Sequence, residues 1–457
     1  ELFTLGLDRR SGAPLRTAVS SEDFCAAWAS SVRARRAAFK AILRRASAVR
    51  DGAASVTAAD LSNPRVVGWR FVVAERDPDR DALVKALAPL AKVRGGEEPV
   101  TLPDVPESRW DAWIESIPRS PVTRRRPGYL LLVGNPPAIP FELQILLQGT
   151  ARVGRLAYDR VDDVAAYVDK VLRHETADVP VAQARCAVLA TDHGPDDATH
   201  WSRTLLVEPL LARVPVETGA EVVSRVGEAA TRDALKDLLR DTRAAVAFIA
   251  SHGVVASGEP LATQRAVNGA IVCQPEAQRS LADGCLHASD LTDEPALEGG
   301  VLFQFGCAGY GTPSVENAAR WFGLTDTSAG DEFVAALPKR LLAHPRGPLA
   351  YVGHLDVAHV SAFVAPGESR EDSTRVRVFL DAITRVLSEE PVGCALASLQ
   401  EVASRLLAYL FNLALDEGSA PSPEEVRATA DVLMRFADAR HHMILGDPAA
   451  RVRVRRP

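Results

Sequence analysis

From residue 129 onward the chain alternates short apolar runs with stretches of helical period. The runs 129–133, 153–156, 185–190, 222–226, 244–251, 301–305 and 349–353 are mostly apolar throughout rather than apolar at every second residue. That pattern belongs to strands covered on both faces of a sheet. Between them, 161–172, 198–211, 232–239 and 331–343 predict helices, so this part reads as a mostly parallel α/β sheet flanked by helices. The last third predicts helices over 376–387, 394–415 and 423–440, then a short run at 443–445, a turn at Gly446-Asp447-Pro448 and a terminal strand. No internal repeat is visible.

The first 125 residues are less regular. A stretch rich in alanine and arginine at 22–49 predicts a helix, 65–75 a strand, and 78–90 a second helix with Asp77 placed to cap it. The proline-rich, charged segment 99–127 reads as a connection around one short helix at 110–117. The expected division is therefore an N-terminal accessory region, 1–125, either a small α/β domain or an elaboration of the core, and a main domain, 126–457.

Composition narrows the partners. A formal net charge of -6, with 47% apolar and 25% charged residues, is ordinary for a globular protein and gives no reason to expect nucleic acid. No run has the length of a membrane span. The six cysteines, at 25, 186, 273, 285, 307 and 394, form no C-x-x-C pair. This usage predicts reduced thiols in a cytoplasmic protein, with no metal and no other cofactor. The chain begins Glu1-Leu2-Phe3, which fits a trimmed, processed or partly ordered product with room for a targeting segment upstream, and its alanine- and arginine-heavy composition fits a bacterial source of high GC content.

Two reactive residues end apolar runs. His252 follows Phe248-Ile249-Ala250-Ser251 and precedes Gly253, while Cys307 follows Phe303-Gln304-Phe305-Gly306 and precedes Ala308-Gly309. Taken singly, such a histidine is usually a hydrogen-bonded boundary residue and such a cysteine a small buried hydrophobe. Together they match a thiol nucleophile and its proton acceptor. In open α/β sheets the ligand site lies beyond the carboxyl ends of the strands, so neighbouring strands would bring the two to one crevice.

The order of strand, His-Gly, about fifty residues, strand, Cys-x-Gly resembles the clan CD cysteine peptidases of caspase-like fold. This group includes caspases, gingipains, separases and bacterial CHAT proteins. Leu131-Leu132-Val133-Gly134-Asn135-Pro136 with Ile139-Pro140, Val153-Gly154-Arg155-Leu156 and Leu445-Gly446-Asp447-Pro448-Ala449 are similar to the CHAT and gingipain-like branch. The resemblance covers about residues 129–450. It implies a caspase-like fold and an endopeptidase acting on protein or peptide substrates through a His/Cys dyad, without an acidic third member. His252 would be the base and acid and Cys307 the nucleophile, with the N–H groups of Gly253 and Cys307 holding the oxyanion. It also implies service in a regulated bacterial defence or cell-death module, released by a partner or by autoprocessing. The segment before the nucleophile, Gln304-Phe305-Gly306, departs from both the caspase and the CHAT patterns.

Asp356, after the run 349–353, is the candidate for selecting a basic P1 residue, because a carboxylate pairs with arginine or lysine. Its competing reading is a helix cap or a solvated loop residue. His354, His359 and Gly309 are placed on the same rim. Asp326, Asp331 and Glu259 are weaker candidates. His193, after the run 185–190, reads as part of a capping turn with Asp196, Asp197 and Thr199 in preference to lining the cleft, and His441-His442 as cations at a helix end. Cys285, in a polar segment, is the expected competitor for thiol reagents. The long excursion 254–300 is expected to carry local strands, one at 269–273, and to serve activation or substrate binding. A catalytically silent scaffold or sensor is the alternative function. No Gly-x-Ser-x-Gly elbow supports another α/β hydrolase.

Overall fold

The computed structural model describes residues 3–16, 62–96, 98–275, 284–314, 331–365, 370–415 and 422–456. The helix expected at 22–49, together with Cys25 and Asp326, lies outside them. The strands are β1 (Phe3–Asp8), β2 (Pro14–Arg16), β3 (Trp69–Ala74), β4 (Val100–Leu102), β5 (Tyr129–Val133), β6 (Arg152–Leu156), β7 (Ala182–Ala190), β8 (Glu221–Val226) and β9 (Ala244–Ala250). They continue as β10 (Gly253–Val255), β11 (Ile271–Val272), β12 (Cys285–Leu286), β13 (Val301–Phe305), β14 (Gly311–Thr312), β15 (Phe333–Val334), β16 (Ala350–His354), β17 (His442–Gly446) and β18 (Val454–Arg455).

Eleven strands form the central sheet in the order β18-β7-β9-β13-β16-β17-β6-β5-β3-β4, with β8 also on β7. Every pairing is parallel except β16 with β17. The sheet is therefore two parallel blocks of opposite direction joined along that seam. β5, β9, β13, β16 and β17 are buried along their whole length. Both faces are covered by helices, as continuous apolar strands require.

No sheet edge falls at residue 125. β3 pairs with β5 from Trp69 opposite Tyr129 to Val73 opposite Val133, and β4 extends the same block. Trp69, Phe71 and Val73 share one apolar cluster with Tyr129, Leu131 and Val133. Side-chain alternation puts these residues on one face, so 69–102 elaborates the core sheet. The segment 99–127 itself adds β4 to this block and buries Trp110, Trp113 and Ile114 in an apolar cluster with Leu130 and Leu132.

Two other local differences matter. The helix expected over 331–343 begins at Ala336, because Phe333 and Val334 form a strand on β14. Asp77 accepts the N–H of Asp79 rather than capping the helix Arg80–Arg94 itself. The excursion after His252 builds a side sheet, β12-β11-β10-β1-β2, in which the first described strand of the chain lies parallel to β10.

Candidate active site

β9 and β13 are parallel neighbours, in register from Val246 opposite Val301 to Ala250 opposite Phe305. His252 lies two residues past Ala250 and Cys307 two past Phe305, so they occupy equivalent positions beyond the same sheet edge. Both are fully buried. The two exits run so close that a Cβ on Gly253 would stand 1.8 Å from the Cys307 carbonyl oxygen, and one on Gly306 would stand 2.5 Å from that of Ser251. Glycine at 253 is thus required by the backbone of the cysteine loop itself, not only by an incoming carbonyl.

His252 has an acidic partner. Its Nε2 lies 2.9 and 3.0 Å from the two carboxylate oxygens of Asp197. Asp197 also caps the helix Ala198–Ser202 by accepting the N–H of Thr199 at 2.8 Å and the Thr199 hydroxyl at 2.5 Å. Burial alone would push this carboxyl up, but the hydrogen bond and charge of His252 and the bonds from Thr199 hold it well below the usual range. With Nε2 donating to Asp197, Nδ1 is the ring atom left to accept a proton. It has no hydrogen-bond partner among the described residues. The His193 ring stacks parallel to His252, centroids 5.5 Å apart. Burial, then the charge of His252, brings the His193 pKa down to about 4, leaving it neutral near pH 7.

The thiol of Cys307 receives the N–H of Ala358 at 3.2 Å. Its own backbone N–H, expected to face an oxyanion, donates to the carbonyl of Leu5 at 2.9 Å. Asp356 stands beside this loop with a left-handed backbone, φ 70°. Its carbonyl accepts the N–H of Ala308 at 2.7 Å, and its N–H donates to Gly311 at 3.3 Å. The residue is half-buried, next to the candidate nucleophile. Gly309 is interior, where a Cβ would meet the Gln304 side chain at 2.9 Å.

His354 is not on an exposed rim. It is fully buried, its Nε2 is 3.2 Å from Asp438, and its ring stands edge-on to His441 and His442. The N–H of His359, also buried, donates to Asp438 at 3.1 Å. His441 and His442 do not act as cations at a helix end. Burial lowers His441 far and brings His442 down to about 4, and Phe303, Phe305 and Phe379 surround the latter ring. Asp438, one helical turn earlier, places a carboxylate 3.8 Å from Nδ1 of His442. Cys285 is buried within β12, which removes it as the accessible rival thiol. Among the described residues two groups could hold a metal ion, His193 with Asp197 and His252, and His354 with Asp438 and His442, each with donor atoms within 4.8 Å of one another.

Asp197 is the site residue that sequence reasoning missed in its second role. Asp before a helical pattern signals a cap, and the cap is present. Nothing local says that its carboxylate also reaches a histidine 55 positions later.

No family model matches the chain, and no curated protein matches it either. Several solved structures are similar, among them the following three. The Porphyromonas gingivalis RgpB complex of pro- and mature domains has TM-score 0.40 at 12% identity, over 84% of this chain and 80% of that one. The arginine-specific cysteine proteinase gingipain R has TM-score 0.44 at 12% identity, over 86% and 79%. A structure described only as a protease has TM-score 0.48 at 13% identity, over 86% and 80%. The likeness is to the overall arrangement and is too loose to carry residue roles. Among the described residues no helix is long and apolar enough to cross a membrane.

Proposed function

We propose that the chain is a cysteine endopeptidase in which Cys307 is the nucleophile, His252 the base and acid, and Asp197 the group that orients His252. The supporting observation is the equivalent placement of His252 and Cys307 beyond neighbouring parallel strands, with Asp197 holding one ring nitrogen and leaving the other to accept a proton. In this reading the thiol proton passes to Nδ1 of His252. The thiolate then forms a C–S bond to the scissile carbonyl carbon, and the electron pair moves to oxygen. Collapse breaks the C–N bond, and the leaving amine takes the proton from Nδ1. Water, deprotonated by Nδ1, attacks the thioester and expels the thiolate, which is reprotonated.

Asp356 is proposed to select arginine or lysine at P1, since its loop bonds directly to the residue after the nucleophile. A role in regulated bacterial defence remains part of the proposal, carried by the family resemblance. The test is cleavage of a peptide library by the purified chain beside Cys307→Ala and His252→Ala. Cleavage after basic residues that both variants lose supports the reading, and undiminished cleavage by Cys307→Ala overturns it. The full burial of Cys307 favours the silent scaffold as the second reading, and absence of cleavage by the original chain, both before and after limited proteolysis, would select it.

A further inference from the structure

The burial of the candidate nucleophile has a specific cause within the chain. β1 passes directly over it. Leu5 gives its carbonyl oxygen to the N–H of Cys307 at 2.9 Å and its own N–H to the carbonyl of Ala358 at 2.9 Å. On one side β1 pairs in parallel with β10, Gly6 opposite Gly253 and Leu7 opposite Val254. On the other side Thr4 forms an antiparallel bridge with His359. The segment is thus an extended strand held by its backbone between the two walls that flank the thiol.

Its side chains fit that position. Leu5 is fully buried in the large core cluster that contains Cys307, and Leu7 is buried with Val254, Ala270, Val272 and Cys285. Between them, Gly6 faces the sulfur, where a Cβ would stand 2.9 Å from Sγ. Only glycine fits there without displacing a neighbour. At the outer end, Arg9 pairs with Glu259, and its N–H donates to Val255 at 3.0 Å.

We propose that residues 3–8 occupy the peptide channel of the enzyme and keep it closed, so that a substrate strand reaches Cys307 only after β1 leaves. This rests on reading Cys307 as the nucleophile. The Leu5 carbonyl takes the backbone donor that an oxyanion needs, so chemistry and the bound strand exclude each other. Main-chain bonding of this kind is open to any extended peptide, with side chains deciding which one fits. A segment on the same chain competes at an effective concentration on the order of millimolar, which a free peptide rarely matches. Opening therefore needs something that pulls on, cleaves or replaces the strand.

The experiment measures alkylation of Cys307 by iodoacetamide in the full chain, with mass-spectrometric site assignment and thermal unfolding as the fold check. Gly6→Val places a side chain against the sulfur and expels the strand, and labelling at Cys307 is expected to rise roughly tenfold as the open fraction rises. A synthetic hexapeptide with the sequence of Phe3–Asp8, added to that variant, slows labelling again, whereas the same peptide with valine at its fourth position does not. If Gly6→Val loses cooperative unfolding, Arg9→Glu, which sets like charge against Glu259, gives the same readout with a smaller rise. Labelling in a folded variant that is no faster than in the original chain, or insensitivity of Gly6→Val to the hexapeptide, overturns the proposal. Fast labelling of the opened variant with no cleavage of any library peptide leaves the closed channel standing and removes the peptidase reading instead.

Discussion

Two buried histidine–aspartate pairs sit at ends of strands in the same parallel block, and they serve different ends. His252 follows β9 and meets Asp197 across 2.9 Å, while His354 ends β16 and meets Asp438 across 3.2 Å. Chemically the pairs are alike. Their surroundings differ. In the first, the ring nitrogen that Asp197 leaves free belongs to a crossing shared with the cysteine loop. The second is enclosed by His359, His441, His442 and phenylalanines, and Asp438 spends one oxygen on the N–H of His359. That bond braces the segment 355–359, whose Ala358 lies on the thiol and whose Asp356 holds the loop after it. In the proposed reading one pair moves a proton, whereas the other fixes a wall. A histidine and a carboxylate in contact do not define a catalytic pair; what lies on the free side of the ring does.

Substitutions separate the two roles. The largest effect on cleavage is expected for Cys307→Ala and for His252→Ala, each lowering the peptide cleavage per folded molecule by roughly a thousandfold or more. Next comes Asp197→Asn, which keeps the shape but weakens the hold on the ring. A fall in kcat of roughly 10²-fold or more at similar KM is expected from steady-state kinetics on the activated chain. Loss of cleavage without that split would make Asp197 only a helix cap.

His354→Ala is expected to act on stability instead. It leaves the Asp438 carboxylate buried without its main partner, a change that costs about 3–5 kcal/mol when such a pair is broken. Chemical denaturation should show the loss, while the fraction still folded alkylates at Cys307 as before. Reduced reactivity per folded molecule would instead place His354 in the site.

The pH dependence of stability sharpens the same contrast. Burial holds His359 and His442 near pKa about 4, below the ordinary histidine value. Unfolding then takes up protons between about pH 6.5 and 4, so stability is full above that window and falls as pH drops through it. His442→Phe, which suits the surrounding phenylalanines, should flatten this acid limb in thermal scans across the window. An unchanged limb would mean that the cluster is not what titrates. The smallest effect is expected for His193→Phe, which keeps a flat ring beside His252 and should change cleavage only slightly at neutral pH.

Much of the block that carries the site was legible in the sequence. The continuous apolar runs at 244–251 and 301–305 appear as β9 and β13, and topology then placed the residues following them together. Less was legible around 69–102, where the sequence left open whether the region stands apart or joins the core sheet, and the pairing of β3 with β5 is made across a charged and proline-rich segment. Helix caps were read as caps, which hid Asp197. Histidines near a helix end were read as surface cations, which hid the Asp438 cluster.

The division follows from the range of the interactions. Strand identity, the glycines at 253 and 306 and the presence of one thiol and one imidazole after two apolar runs are properties of neighbouring residues, and composition and spacing determine them. The partner of His252, the burial of His354 and the passage of β1 over Cys307 join residues 55, 84 and about 300 positions apart. Such contacts leave no periodic trace in the chain, because each is made by a single side chain or a single peptide bond. Only the packing of the sheet edge decides which of several equivalent carboxylates and extended segments arrives there.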